Sequence, residues 1–342
     1  MHNIGFLLIN IGTPRSPTTR DVRRYLNEFL MDPFVIATPW WVRRLLVSLF
    51  ILPFRPRRSA SAYAKIWTDA GSPFLLHSQT LARNLAASIN APVALGMRYG
   101  SPSIETAIEQ LLGDNVEEVI VVPLYPQFAD STVTTSIIET QRVLKETPHR
   151  IVPPFYNQTS FIDAYAQTIR RSLPEIYDHV LFSYHGLPEQ HIKNADPTGT
   201  HCLAQADCCT RTSQAHASCY RHQVHMTSSA LAHRLGLKQD NYTTSYQSRL
   251  GRLPWLTPDT KNVLQALPQQ GVKDLVVACP SFVTDNLETL EEIDMQGRDI
   301  FLRAGGESFH LMPCPNTSEI WVNALTDILQ GYTTSASART SS

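Results

Sequence analysis

Val180-Leu181-Phe182-Ser183-Tyr184-His185-Gly186-Leu187-Pro188 is the stretch that decides the fold. A short, almost uninterrupted apolar run stops abruptly at a histidine and a glycine. Such runs suit strands buried on both faces of a parallel sheet. Working outward, the same design recurs at residues 4–11, 93–97, 119–123, 242–246 and 275–278, each closed by turn-forming or polar residues. Patterns of helical spacing lie between them. Residues 19–31 carry Val22, Tyr25, Leu26 and Phe29 on one face behind Asp21. Ser101-Pro102 reads as an N-cap followed by proline at the first position of a helix over 103–112. Residues 286–296 read as a helix rich in acids, and 319–329 as the last helix.

Alternating strands and helices define an α/β layer architecture. The pattern runs once before about residue 150 and again after it, and Pro153-Pro154 marks the boundary. The expected organisation is a Rossmann-like lobe over 1–152 and a second over 153–315. A helix over 316–331 returns to the first lobe, and a Ser/Thr-rich tail at 332–342 is expected to be disordered. The order of elements repeats, whereas the sequence itself does not.

The chain has 342 residues, which suits two domains. Its formal charge of −1 argues against bulk binding to nucleic acid, which needs a basic surface. Neither a GxGxxG fingerprint nor a phosphate-binding P-loop is present. The longest apolar stretch, 45–54, is half of the roughly 20 residues a membrane-spanning helix needs. The first residues lack the basic segment of a secretory signal, so the expected location is the cytoplasm. Disulfides are rare there.

Ligands of open α/β sheets bind at the carboxyl ends of the strands. That rule singles out Arg98, Tyr99, His185, Gln247, Ser248 and Arg249. His185 follows a buried strand, and an unperturbed histidine takes and gives protons near neutrality, so this position suits proton transfer or metal binding as well as a plain turn hydrogen bond. In the run Thr284-Asp285-Asn286-Leu287-Glu288-Thr289-Leu290-Glu291-Glu292, helical spacing puts Glu288 and Glu292 on one face, with Asp285 leading into it. Such a line of carboxylates passes cations or protons, or simply faces solvent.

Four of the six cysteines fall within residues 202–219, spaced C-x5-C-C-x9-C: Cys202, Cys208, Cys209 and Cys219. Four thiolates hold a [2Fe–2S] cluster or a zinc ion. The adjacent pair suits two irons better than one tetrahedral ion, and His201 and His216 are possible replacement ligands. Residues 31–58 alternate aromatic, aliphatic and basic blocks, including Trp40-Trp41-Val42-Arg43-Arg44 and Arg55-Pro56-Arg57-Arg58. This composition fits a membrane interface, the wall of an apolar pocket, or a buried helix.

The motifs together resemble the ferrochelatase family over about residues 5–329. They are Asn10-Ile11-Gly12-Thr13-Pro14, Gly71-Ser72-Pro73, Arg98-Tyr99, Pro123-Leu124-Tyr125-Pro126-Gln127, Ser183-Tyr184-His185-Gly186-Leu187-Pro188, Gln247-Ser248-Arg249, Pro254-Trp255-Leu256 and Leu287-Glu288-Thr289-Leu290-Glu291-Glu292-Ile293. The resemblance implies two Rossmann-like lobes of parallel sheet flanked by helices, with the active-site cleft between them. It implies insertion of Fe²⁺ into protoporphyrin IX, giving protohaem and two protons. His185 and Glu288 take the catalytic places, and His185, Asp285, Glu288 and Glu292 the iron path. Abstraction of protons and delivery of metal are not divided between the two faces.

Porphyrin contacts are expected from Ile11, Arg98, Tyr99, Tyr125, Ser248, Arg249 and Trp255, with Arg98 or Arg249 on the propionates. The apolar lip over the porphyrin falls within 31–58 and implies peripheral membrane contact. The cysteine-bearing insert, about 201–225, resembles that of bacterial members whose internal cysteines hold a [2Fe–2S] cluster. Asp196-Pro197-Thr198 departs from the Asp-Pro-Tyr of many members, removing a tyrosine from the pocket. Two other readings are a chelatase for another tetrapyrrole, such as coproporphyrin III, and a non-catalytic haem or redox sensor.

Overall fold

The computed structural model describes residues 3–249, 251 and 253–333; the expected tail lies, from residue 334, outside the described residues. The chain divides into two compact units. The first comprises Met1–Leu124, Asp130–Pro153 and Val322–Ser342, the second Tyr125–Ala129 and Pro154–Trp321.

The first unit is built on a parallel sheet of β1 (Ile4–Thr13), β2 (Val93–Gly100), β3 (Glu118–Pro123) and β4 (His149–Ile151), in the order β2-β1-β3-β4. The second is built on β5 (His179–His185), β6 (Tyr242–Gln247), β7 (Asp274–Ala278) and β8 (Ser308–Leu311), in the order β6-β5-β7-β8. Both orders are the same, and every pairing is parallel. The six apolar runs are the six inner or long strands. Four of them, β1, β3, β5 and β7, are buried almost throughout. The two remaining strands, β4 and β8, are edges of three and four residues, too short and too polar to leave a pattern.

Each sheet has its own core. Leu7, Ile9, Val119 and Val121 pack on Ile104, Ile108 and Leu111 of the helix Ile104–Gly113. Leu181, Leu275 and Val277 pack on Leu264, Ile293 and Phe301.

Two local expectations change. Ser103, not Ser101, caps the helix Ile104–Gly113: its Oγ accepts from the Thr106 N–H at 3.1 Å. The acid-bearing segment Glu288–Gly297 is a π-helix rather than an α-helix, passing into the α-helix Arg298–Arg303. Apolar spacing does not separate these two, because i+4 neighbours stay on one face in both. Long π-helical stretches are rare and concentrate at functional sites.

Candidate functional site

His185 is the last residue of β5, and its backbone is held from both sides. Its N–H donates to Ser281 Oγ at 2.8 Å, and its carbonyl accepts from the Tyr220 hydroxyl at 2.7 Å. The ring Nδ1 lies 2.8 Å from the Gly186 carbonyl. A carbonyl only accepts, so Nδ1 donates in this contact and Nε2 is the ring nitrogen left for other partners.

Glycine is required at 186. A Cβ there would stand 2.7 Å from the Gln247 carbonyl oxygen and 3.2 Å from Trp255 Cε3. The close approach lets the Gly186 N–H donate to that same carbonyl at 2.8 Å. The chain then runs antiparallel to the segment around Trp255, whose indole Nε1 is buried without a partner.

Beyond β6, Ser248 adopts φ +65° and turns toward the acidic π-helix. Its N–H donates to Glu292 Oε1 at 2.7 Å and its hydroxyl to Glu292 Oε2 at 2.6 Å. Burial nevertheless holds the Glu292 carboxyl above the usual range. The Ser248 bonds oppose this shift, the like charge of Glu288 adds to it, and His185 opposes it. His185, Glu288 and Glu292 are thus electrostatic neighbours in one unit.

Asp285 does not complete an open line of carboxylates. Its Oδ2 accepts from Asn316 Nδ2 at 2.6 Å, and its Oδ1 from the Thr289 hydroxyl at 3.0 Å and the Cys314 N–H at 3.3 Å. Both oxygens are engaged and the residue is buried.

The first unit places Arg98 and Tyr99 at the end of β2. Asp32, which the sequence did not single out, gathers them: its Oδ2 accepts from Arg98 Nη2 at 2.6 Å, Tyr99 OH at 3.0 Å and Thr135 Oγ1 at 2.5 Å. Tyr99 is 1% exposed, so its ring packs inside, with the Arg98 guanidinium 4.6 Å from its centroid. Ile11 is half-buried on β1, Tyr125 is buried, and Arg249 is exposed.

The four thiols lie in a tightly braced loop. Asp196 accepts from the backbone N–H groups of Thr198, His201 and Cys202. His201 and His216 reach the Cys208 carbonyl at 2.8 and 3.2 Å, and His222 the Cys209 carbonyl at 2.8 Å. Each ring thus braces the loop through one of its two nitrogens.

Cys202, Cys208 and Cys219 are buried, and all four thiols are unpaired as disulfides. Cys219 precedes the helix Tyr220–Leu235. The hydrogen bond from the Cys209 thiol, with N–H groups of His222 and Arg221, pulls Cys219 down to about 6. The same bond pushes Cys209 up. The Arg221 guanidinium lies 3.6 Å from Cys208 Sγ. Among the described residues, no group of three or more His, Cys, Asp or Glu is arranged to hold a metal ion. Cys202 and Cys209 are each hydrogen-bonded to Cys219, but the expected cysteine set does not form a metal-holding arrangement among the described residues.

The segment 31–58 is not an ordinary buried helix. Trp40, Trp41, Phe50 and Phe54 are each at least 65% exposed, on the helices Trp40–Leu46, Val47–Ile51 and the turn that follows. Arg43 is instead buried, donating to the carbonyls of Ile36 and Thr38. No helix among the described residues is long and apolar enough to cross a membrane.

Two parallel four-stranded sheets of this order define a two-unit α/β fold that solved chelatases share. SirB from Bacillus subtilis, solved with Fe³⁺, is similar with a TM-score of 0.53 at 12% identity, over 98% of this chain and 97% of that one. The sirohydrochlorin chelatase SirB from the subspecies spizizenii, solved with cobalt, gives 0.52 at 10% identity, over 96% and 94%. At such identities the likeness is one of fold.

Sequence is more specific. The ferrochelatase family model matches residues 3–332. The ferrochelatase of Stutzerimonas stutzeri (strain A1501) is 48% identical over 328 residues, 94% of this chain and 96% of that protein. That of Azotobacter vinelandii (strain DJ) is 48% identical over 334 residues, 96% and 98% respectively. The chain belongs to the ferrochelatase family. It is a metal chelatase, a lyase that inserts Fe²⁺ into protoporphyrin IX to form protohaem.

Proposed function

We propose that His185 and Glu288 carry the metal insertion, with Glu292 as the carboxylate behind them. The observation that carries this reading is the mutual electrostatic influence of His185, Glu288 and Glu292 beside the end of β5. The macrocycle must give up two pyrrole N–H protons as Fe²⁺ enters. An imidazole can accept a proton or steady the cation through the nitrogen turned away from Gly186, and a carboxylate pair does the other task. Asp285, with both oxygens engaged, positions the acidic segment through Asn316 and Thr289. Tyr220 and Ser281 position His185. Arg249, exposed, and Arg98, restrained by Asp32, are the candidates for the propionates. Ile11, Tyr125, Ser248 and Trp255 remain proposed porphyrin contacts, while Tyr99 acts from the interior through Asp32.

The four thiols are proposed to hold a [2Fe–2S] cluster, which would supply a redox-active centre apart from the substrate iron. The donor set supports this: three buried soft ligands and one half-buried, with a cationic Arg221 and a helix start to offset thiolate charge. The exposed aromatic lip is proposed to rest on a membrane surface, as a peripheral contact from the cytoplasmic side.

One anaerobic preparation tests these readings together. It should show about two irons and two acid-labile sulfides per chain, and should form haem from Fe²⁺ and protoporphyrin IX. His185→Ala and Glu288→Ala should each lose most of the rate. Full activity in both variants would overturn the role assignment. Zinc without sulfide would overturn the cluster.

A further inference from the structure

Asn316 grips Asp285 twice. Its Oδ1 accepts from the Asp285 N–H at 2.8 Å, and its Nδ2 donates to Asp285 Oδ2 at 2.6 Å. A backbone N–H only donates and a carboxylate only accepts, so the two contacts also fix which end of the amide is which. Two backbone bonds run between the same segments: the Asn316 N–H donates to the Val283 carbonyl at 2.9 Å, and the Cys314 N–H to Asp285 Oδ1 at 3.3 Å. Asn316 lies just after β8 at φ +51°, a left-handed backbone that asparagine tolerates better than most residues. Backbone and side chain both suit asparagine here.

The grip matters because of what Asp285 would otherwise do. It is 7% exposed, and its donors are all neutral: the Asn316 amide, the Thr289 hydroxyl and the Cys314 N–H. A buried carboxylate held by neutral groups alone has every reason to take a divalent cation once an oxygen is released. Glu288 stands only three residues further on, at the start of the π-helix. Between them, Asn286 and Thr289 exchange backbone-to-side-chain bonds of 3.0 Å in both directions. The acidic segment is thus pinned near its start by Asn316 and at Glu292 by Ser248.

We propose that Asn316 is a positioning residue for metal insertion: its amide locks Asp285 out of the carboxylates open to Fe²⁺, so that Glu288 and Glu292 take the cation. The proposal rests on the reading of Glu288 and Glu292 given above. A third carboxylate would hold Fe²⁺ more tightly in the ground state and give it up to the macrocycle more slowly. Asn316 itself touches neither substrate.

The test compares the full chain as wild type, Asn316→Gly, and Asn316→Gly with Asp285→Asn. Glycine accepts φ +51° without strain and removes only the amide. Mn²⁺, a divalent ion that prefers oxygen ligands, is titrated without porphyrin and followed by electron paramagnetic resonance. Anaerobic kinetics give KM for Fe²⁺, KM for porphyrin and kcat. Asn316→Gly is expected to bind Mn²⁺ about tenfold more tightly, the scale of one lost hydrogen bond to a charged group. Its KM for Fe²⁺ and its kcat should fall together, with KM for porphyrin unmoved. Adding Asp285→Asn should return the Mn²⁺ affinity to the wild-type value. Unchanged Mn²⁺ affinity in Asn316→Gly, or tighter binding that survives Asp285→Asn, would overturn the proposal. Should Asn316→Gly not fold, Asp285→Asn in the wild-type background decides: unmoved Mn²⁺ affinity supports the lock, and weakened affinity refutes it. Mn²⁺ affinity that is unmoved when Glu288→Ala and Glu292→Ala are combined removes the underlying carboxylate reading, a separate outcome.

Discussion

Ser248→Ala gives the acidic segment its sharpest test. Ser248 already accepts φ +65° with a Cβ, so alanine adds no backbone strain. The substitution removes only the Oγ donor 2.6 Å from Glu292 Oε2 and leaves the N–H donor 2.7 Å from Oε1. Hydrogen bonds to charged groups are each worth ~1.5–3 kcal/mol. At about 1.4 kcal/mol per pKa unit, the loss raises the Glu292 carboxyl by roughly one to two units above its already raised wild-type value. If the carboxylate form is the working one, the acid limb of kcat/KM against pH moves upward by the same one to two units.

Stability follows the same sign. A carboxyl whose folded pKa exceeds its unfolded value contributes stability that is complete below the unfolded value and is lost as pH rises through the folded one. The variant therefore falls further behind wild type at pH 8 than at pH 4. Anaerobic rate profiles with Fe²⁺ and denaturant melts at the two pH values read both effects. An acid limb in the same place in both proteins would refute the role given to Glu292.

Other outcomes follow from the same structure. Asp32→Ala strips the partner from Arg98 and leaves that guanidinium mostly buried, a loss of ~3–5 kcal/mol. A melting temperature that did not fall by several degrees would contradict the bracing role of Asp32. Trp41→Ser with Phe50→Ser should weaken binding to anionic vesicles by at least about tenfold per aromatic removed, at ~1.5 kcal/mol each. Equal sedimentation with vesicles in both proteins would end the membrane reading of the lip.

The β-branched and aromatic runs determined the parallel strands by themselves, because a strand buried on both faces has no reason to alternate. They also placed His185 at a strand end, and the cysteine spacing announced a thiol site. The edge strands β4 and β8 stayed hidden because their few residues bury only one side against a neighbour. Helical spacing brought Glu288 and Glu292 together but could not distinguish a π-helix from an α-helix.

Only the tertiary structure decided what those side chains are free to do. Asp285 looks like a third carboxylate of the line until Asn316 and Thr289, distant or local in sequence, occupy its oxygens. Tyr99 looks like a ligand contact until Asp32 draws it inside. Arg43 reads as a lip charge and turns out to satisfy two carbonyls in the interior. Asp32 and Tyr220 carry no motif at all; only the fold's long-range contacts give them a role. Residue type and spacing fix which chemistry is possible, because they set charge, shape and local period. Which groups remain available depends on hydrogen bonds closed by residues far along the chain, and those exist only once it has folded.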